Sequence, residues 1–175
     1  MLEARTFVKS LDEAREKLTS LNALFKGEYE IHNIIYASKD KSKGLEKVFL
    51  RLRTIPKNIW NEKNVVVAIK ETELKEIGKN SIIPLKKQFD TKEEAQEYID
   101  KNLKDQFVYS FEFGCIGWQY DLGEDQVDLE DIEGHYSIEF KSKTEEGLKK
   151  LLNEFGITET IKGPSVVAVK ELLGR

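Results

Sequence analysis

Arginine and lysine at alternate positions of neighbouring strands are the residues here whose types and spacing suit them to chemistry. Val48-Phe49-Leu50-Arg51-Leu52-Arg53-Thr54 alternates apolar and basic residues. As a strand it sends Phe49, Arg51 and Arg53 to one face and Val48, Leu50 and Leu52 to the other. The next run, Val65-Val66-Val67-Ala68-Ile69-Lys70, places Ala68 and Lys70 opposite Val65, Val67 and Ile69. Guanidinium and ammonium groups fixed on rigid strands suit a polyanion such as a triphosphate. An ordinary antiparallel sheet with one solvated face has the same local pattern, and the two strands alone favour that reading.

The chain has 175 residues, enough for one well-packed domain spanning 1–175 and short for two. Hydrophobic residues at 39% support a core, and charged residues at 34% exceed the usual quarter, so the surface is expected to be rich in ion pairs. A net charge of -4 lacks the basic footprint of a nucleic-acid binder. One cysteine, Cys115, excludes a disulfide framework or a cysteine-rich zinc module, and in its apolar run it reads as a small buried hydrophobe. The first residues do not form a signal peptide and no apolar run reaches membrane-spanning length, so a cytoplasmic location is expected.

Leu2 to Val8 reads as a strand with Glu3, Arg5 and Phe7 on one face. Ser10 is the expected cap of a helix whose stripe is Leu11, Ala14, Leu18, Leu21 and Leu24-Phe25, stopped by Gly27. Glu28 to Ser38 forms a second strand; His32 within it is read as structural. The two basic strands follow, joined by a loop holding Pro56 and Trp60. Residues 72–88, broken by Gly78 and Pro84, are expected to be an exposed loop with at most a short strand. A helix opens at Asp90-Thr91-Lys92-Glu93-Glu94 and runs to about Leu103. Phe107 to Tyr120 is an aromatic strand without interleaved basic residues, so it reads as core and not as a base-stacking platform. Strands over Gln126–Ile132 and His135–Ser142 come next, with Asp128 and Glu130 on one face and Ser137, Glu139 and Lys141 on one face. Thr144 caps a helix to Phe155, and Val166–Val169 is expected to be a short strand, alone or followed by a helical stub. Many antiparallel strands with one apolar and one charged face fit a barrel better than an open sheet, with helices covering the apolar exterior.

With the strands placed in this order, the chain resembles the CYTH superfamily of triphosphate tunnel enzymes, which includes CyaB-type adenylate cyclases and thiamine triphosphatases. The resemblance runs over nearly the whole length. It is carried by the acidic first strand, Leu50-Arg51-Leu52-Arg53, Ala68-Ile69-Lys70, and the Phe89-Asp90-Thr91-Glu93-Glu94-Ala95 helix entry. Leu129-Glu130-Asp131-Ile132-Glu133-Gly134 and Tyr136-Ser137-Ile138-Glu139 complete it. It implies an α+β fold: an eight-stranded antiparallel β-barrel whose tunnel binds a triphosphate, with helices packed outside. It also implies Mg²⁺ or Mn²⁺ as cofactor, phosphate ligands at Arg51, Arg53 and Lys70, and metal ligands at Glu3, Glu139 and Glu130. Barrels of this kind often pair. The expected partners are therefore a small-molecule triphosphate or other polyanion and, optionally, a second copy in a homodimer, with no nucleic acid and no membrane.

The sequence departs from the family pattern at telling places. The opening Glu-x-Glu-x-Lys reads Glu3-Ala4-Arg5-Thr6-Phe7, and the later Glu-x-Glu reads Glu139-Phe140-Lys141. A strand that usually offers Lys-x-Arg carries Ser110-Phe111-Glu112. Arg5 and Lys141 thus become additional tunnel cations, and the expected tunnel holds Arg5, Arg51, Arg53, Lys70 and Lys141 against Glu3, Glu112, Asp128, Glu130 and Glu139. Three functions follow from this balance: a metal-dependent triphosphatase or adenylate cyclase, an anion- or nucleotide-binding module without turnover, or a structural barrel whose charges pair internally.

Overall fold

In the computed structural model, which describes all of residues 1–175, eight antiparallel strands close into a ring with four helices around it. The strands are β1 (Leu2–Val8), β2 (Leu24–Ser38), β3 (Val48–Lys57), β4 (Val65–Leu74), β5 (Lys79–Phe89), β6 (Phe107–Leu122), β7 (Asp125–Ile132) and β8 (His135–Ser142). Around the ring their order is β1-β5-β4-β3-β2-β6-β7-β8. Each strand therefore has an inner and an outer face, and side chains alternate between them.

The outer face is apolar where helices cover it. Helix α1 (Asp12–Ser20) and α3 (Glu145–Glu154) bury Leu18, Leu148 and Leu151 against Val127, Leu129, Ile138 and Phe140 of β7 and β8. Helix α2 (Lys92–Asn102) buries Ala95 and Ile99 against Leu50, Leu52, Val65 and Val67 of β3 and β4. Thr91 and Thr144 cap α2 and α3 by accepting the backbone N–H of Glu94 and Gly147, at the positions the capping pattern marks. Helix α4 (Ser165–Leu172) differs. Its Val166 and Val169 pack inside the ring with Ile31, Ile35, Phe49, Phe111 and Ile132, so it stops one end of the tunnel. Lys170 Nζ donates to Ser110 Oγ at 3.1 Å, and Arg175 pairs with Glu133 at 2.7 Å, fastening the helix to the rim. No helix is long and apolar enough to cross a membrane.

Several local expectations need correction. The first helix ends at Ser20, and Leu24 and Phe25 begin β2 as exposed residues, 61% and 51% accessible. Asn22, at φ 52°, turns the chain before Gly27 is reached. Ser10 lies one position before the cap, where its Oγ accepts the Asp12 N–H at 3.1 Å. Residues 72–88 are largely strand: β4 continues to Leu74 and β5 spans Lys79–Phe89. Pro84 is tolerated there because the β4–β5 register slips between Ile69 and Glu71, a bulge that needs no ladder N–H from proline. Gly78, at φ 76°, makes the intervening turn, and a Cβ there would meet the Glu3 carbonyl.

The valines of 166–169 form helix and not strand, because Val166 and Val169 are one helical turn apart and both reach the tunnel interior. Glu112 faces out of the ring, 3.2 Å from His32 Nε2, while Phe111 and Phe113 take the inner face. One residue of register decides this, since side chains alternate strictly along a strand.

Candidate functional site

The ring encloses a cavity of about 210 Å³ lined by side chains of all the strands and of α4. Arg51, Arg53 and Lys70, Arg5 and Lys141, and Glu3, Glu130 and Glu139 all line it, as does Asp128. The structure therefore brings every candidate residue into one space. It also adds Lys79 from β5, hidden in the sequence because Gly78 and Pro84 disguise that strand as loop. With Glu112 outside, six cations face four carboxylates, so the lining carries an excess of positive charge.

The charges are not evenly mixed. On the wall formed by β1, β7 and β8, Arg5 bonds to both Glu130 and Glu139, the latter at 2.9 Å, and its Nη1 also donates to Ser137 Oγ at 2.7 Å. Lys141 Nζ lies 2.7 Å from Asp128 and 3.2 Å from Glu139. Tyr29 reaches along the wall, over Gly117 of the intervening β6, to donate its hydroxyl to Glu130 at 3.0 Å. Its ring lies over Gly117, where a Cβ would overlap it, so only glycine lets the tyrosine reach this position. Burial opposes the charge of Arg5, but Glu130 and Glu139 outweigh it and hold its pKa well above the ordinary value. Glu139 is likewise buried, yet Arg5 and Lys141 depress its pKa well below the usual carboxylate range. Asp128 goes the other way: burial raises it in spite of Lys141.

The wall formed by β3, β4 and β5 has cations without carboxylate partners. Arg53 Nε donates to Asn33 Oδ1 at 2.9 Å, and Lys79 Nζ donates to Ser165 Oγ at the start of α4. Arg51 Nε is buried and has no hydrogen-bond partner. Burial first, and the neighbouring Arg53 second, push the Arg51 pKa well below its ordinary value. Burial and Arg51 lower Lys70 to about 7. A buried polar group left unpaired costs about 1–3 kcal/mol, more when charged. This half of the tunnel is thus electrostatically incomplete by itself, and an anion would complete it.

The expected metal ligands do not form a metal site. Glu130 and Glu139 are bridged by Arg5, and Glu3 is near Ser81, 3.4 Å from its hydroxyl, with no ion pair. No group of three or more His, Cys, Asp or Glu side chains is placed to hold a metal ion. The residues present do not fit Mg²⁺ or Mn²⁺, because a guanidinium stands between the carboxylates.

The titration of Lys70 leads to a pH prediction. Below pH 7 the amine is charged and attracts an anion; above it the free protein presents a neutral amine. Tripolyphosphate is expected to bind more tightly at pH 6 than at pH 8.5, with proton uptake on binding at the higher pH. Calorimetry in buffers of different ionisation enthalpy reads this, and Lys70→Met should remove the protein's share while the ligand's own titration remains. The stability term has the opposite sense from that of a paired lysine. The cost of burying the charge is present in full below about pH 7 and fades as pH rises toward the unfolded value of about 10.4.

The chain matches no protein-family model and no curated protein sequence. Solved structures do match it along nearly its whole length. The PH1819 protein of Pyrococcus horikoshii OT3 superposes with a TM-score of 0.74 at 21% identity, covering 99% of each chain. The fold is CYTH-like. A putative adenylate cyclase from Vibrio parahaemolyticus gives a TM-score of 0.67 at 15% identity, covering 99% of this chain and 97% of that one. The putative adenylyl cyclase HpAC1 from Hippeastrum, a protein with a dominant triphosphatase activity, gives 0.67 at 19% identity, covering 98% and 95%. At such identities the likeness is one of fold, and the CYTH-like ring alone does not carry an activity.

Proposed function

We propose that the tunnel is a receptor for a compact organic polyanion, a triphosphate or a group of similar charge, gripped by Arg51, Arg53, Lys70 and Lys79. The observation that carries this reading is the buried, partnerless Nε of Arg51 beside two further cations. A phosphate chain offers acceptor oxygens at a spacing that arginine forks match, and its charge offsets the repulsion among these side chains. The cavity of about 210 Å³ is small beside the ~300–1,000 Å³ of typical ligand pockets, which suits a phosphate chain with the rest of the molecule at the open mouth.

A second reading is metal-dependent triphosphate hydrolysis or adenylate cyclisation. The triphosphatase HpAC1 and the putative cyclase from Vibrio support it by likeness of fold. The engaged carboxylates of β7 and β8 count against it.

Melting curves with tripolyphosphate and ATP, each with Mg²⁺ or with EDTA, test the proposal. At ~100 times the dissociation constant the melting temperature should rise by about 5–10 °C with EDTA present. Phosphate or pyrophosphate release with Mg²⁺ would favour the enzymatic reading. No shift with either ligand would leave a barrel whose charges serve only each other.

A further inference from the structure

The carboxylates of the acidic wall are already occupied, oxygen by oxygen. Glu130 Oε1 accepts from Tyr29, and Glu130 Oε2 accepts from Arg5 and, at 3.0 Å, from Ser137. Glu139 Oε1 accepts from Arg5, and Glu139 Oε2 is 3.2 Å from Lys141 Nζ. Asp128 Oδ1 accepts from Gln126 at 3.2 Å, and Asp128 Oδ2 accepts from Gln126 at 2.9 Å and Lys141 at 2.7 Å. Each of these three side chains is at most 11% exposed. A divalent ion would have to strip these donors from its own ligands, and magnesium wants near-octahedral oxygen coordination at about 2.0–2.1 Å.

Arg5 and Lys141 together carry two positive charges, the same charge as one divalent ion, and they sit among the carboxylates that would bind one. We infer that Arg5 and Lys141 are built-in replacements for a divalent cation, so that this tunnel takes its polyanion without metal. The inference rests on the polyanion reading above. An arginine stays protonated in proteins and, unlike a bound metal ion, is tethered to the chain, so Arg5 is a permanent counter-ion to Glu130 and Glu139. Its Nε also donates to Ser165 Oγ at 3.1 Å, which ties the same charge to the helix that stops the tunnel. The polyanion then meets the unpaired cations of β3, β4 and β5 directly. Magnesium in solution competes with the protein for the ligand, because it neutralises phosphate charge before binding.

Two measurements test this. Calorimetry of tripolyphosphate should give affinity in EDTA at least equal to that in Mg²⁺, with Mg²⁺ weakening it. Mn²⁺ titration of the ligand-free protein, followed by paramagnetic resonance, should leave the ion free in solution with the wild-type chain. Arg5→Gln or Lys141→Gln, which leaves carboxylates without their cation, should tighten Mn²⁺ binding by about tenfold or more. Mn²⁺ should also raise the melting temperature of these variants but not that of the wild type. Lys141→Gln keeps the test alive where Arg5→Gln does not fold.

The inference is overturned if wild-type protein binds Mn²⁺ by itself, if Mg²⁺ strengthens tripolyphosphate binding tenfold, or if neither variant gains Mn²⁺ affinity. Failure of tripolyphosphate to bind under any condition overturns the polyanion reading and, with it, the ligand half of the inference. The wild-type Mn²⁺ titration separately decides metal exclusion.

Discussion

Replacing Arg51 with methionine is expected to remove most polyanion binding while making the free protein more stable. The two effects have one cause. In the free protein Arg51 is half-buried in the tunnel wall beside Arg53 and Lys70, and its Nε is buried and unpaired, so it costs folding free energy. Methionine has a similar reach, fills the volume with a flexible apolar chain and needs no partner. Relief of one unsatisfied buried group contributes about 1–3 kcal/mol, visible as a higher denaturant midpoint at constant slope. The charged hydrogen bonds lost to the ligand are worth a similar amount each, about 1.5–3 kcal/mol, so affinity for tripolyphosphate should fall roughly 10- to 100-fold per bond. Urea melts and calorimetry on the same variant measure both. A destabilised variant that binds normally would show that Arg51 is satisfied in solution and that the ligand lies elsewhere.

Arg5→Met should produce the largest loss of stability of any single tunnel substitution. Arg5 contacts Glu130, Ser137, Glu139 and Ser165, joining β1 to β7, β8 and α4. Its removal strands Glu130 and Glu139, both buried, without their principal counter-charge. Breaking a buried pair by deleting one partner typically costs about 3–5 kcal/mol. The loss comes mainly from the orphaned carboxylates, so adding Glu130→Gln and Glu139→Gln to Arg5→Met should recover much of it. Recovery in urea melts would mark the cost as electrostatic. No recovery would show that the guanidinium acts chiefly by packing and by holding α4 in place.

Much of the tunnel could be read along the chain. Arg51 and Arg53 share a face with each other because strand side chains alternate, and the same holds for Asp128 with Glu130 and for Glu139 with Lys141. The sequence shows the aromatic strand but not which of its faces lines the tunnel. Alternation sets Ser110 and Glu112 opposite Phe111 and Phe113, but which of the two faces turns inward is decided by pairing with β2. Lys79 escaped because glycine and proline are ordinary signs of a loop. Only pairing with β4, across a bulge, makes that segment a strand. The terminal valines have strand propensity, and packing into the stopped end of the ring overrides it.

The amino-acid sequence by itself determined which side chains lie together on each strand and that apolar faces must be covered by helices. These follow from steric alternation and periodicity within a few residues. Tertiary structure alone decided which cations are paired. Arg5 reaches Glu130 from 125 positions away, and Lys141 reaches Asp128 across a strand pair, whereas Arg51 and Lys70 find no carboxylate. Whether a buried charge is satisfied depends on what closure of the ring sets opposite it, and a linear pattern of residues does not contain that distance.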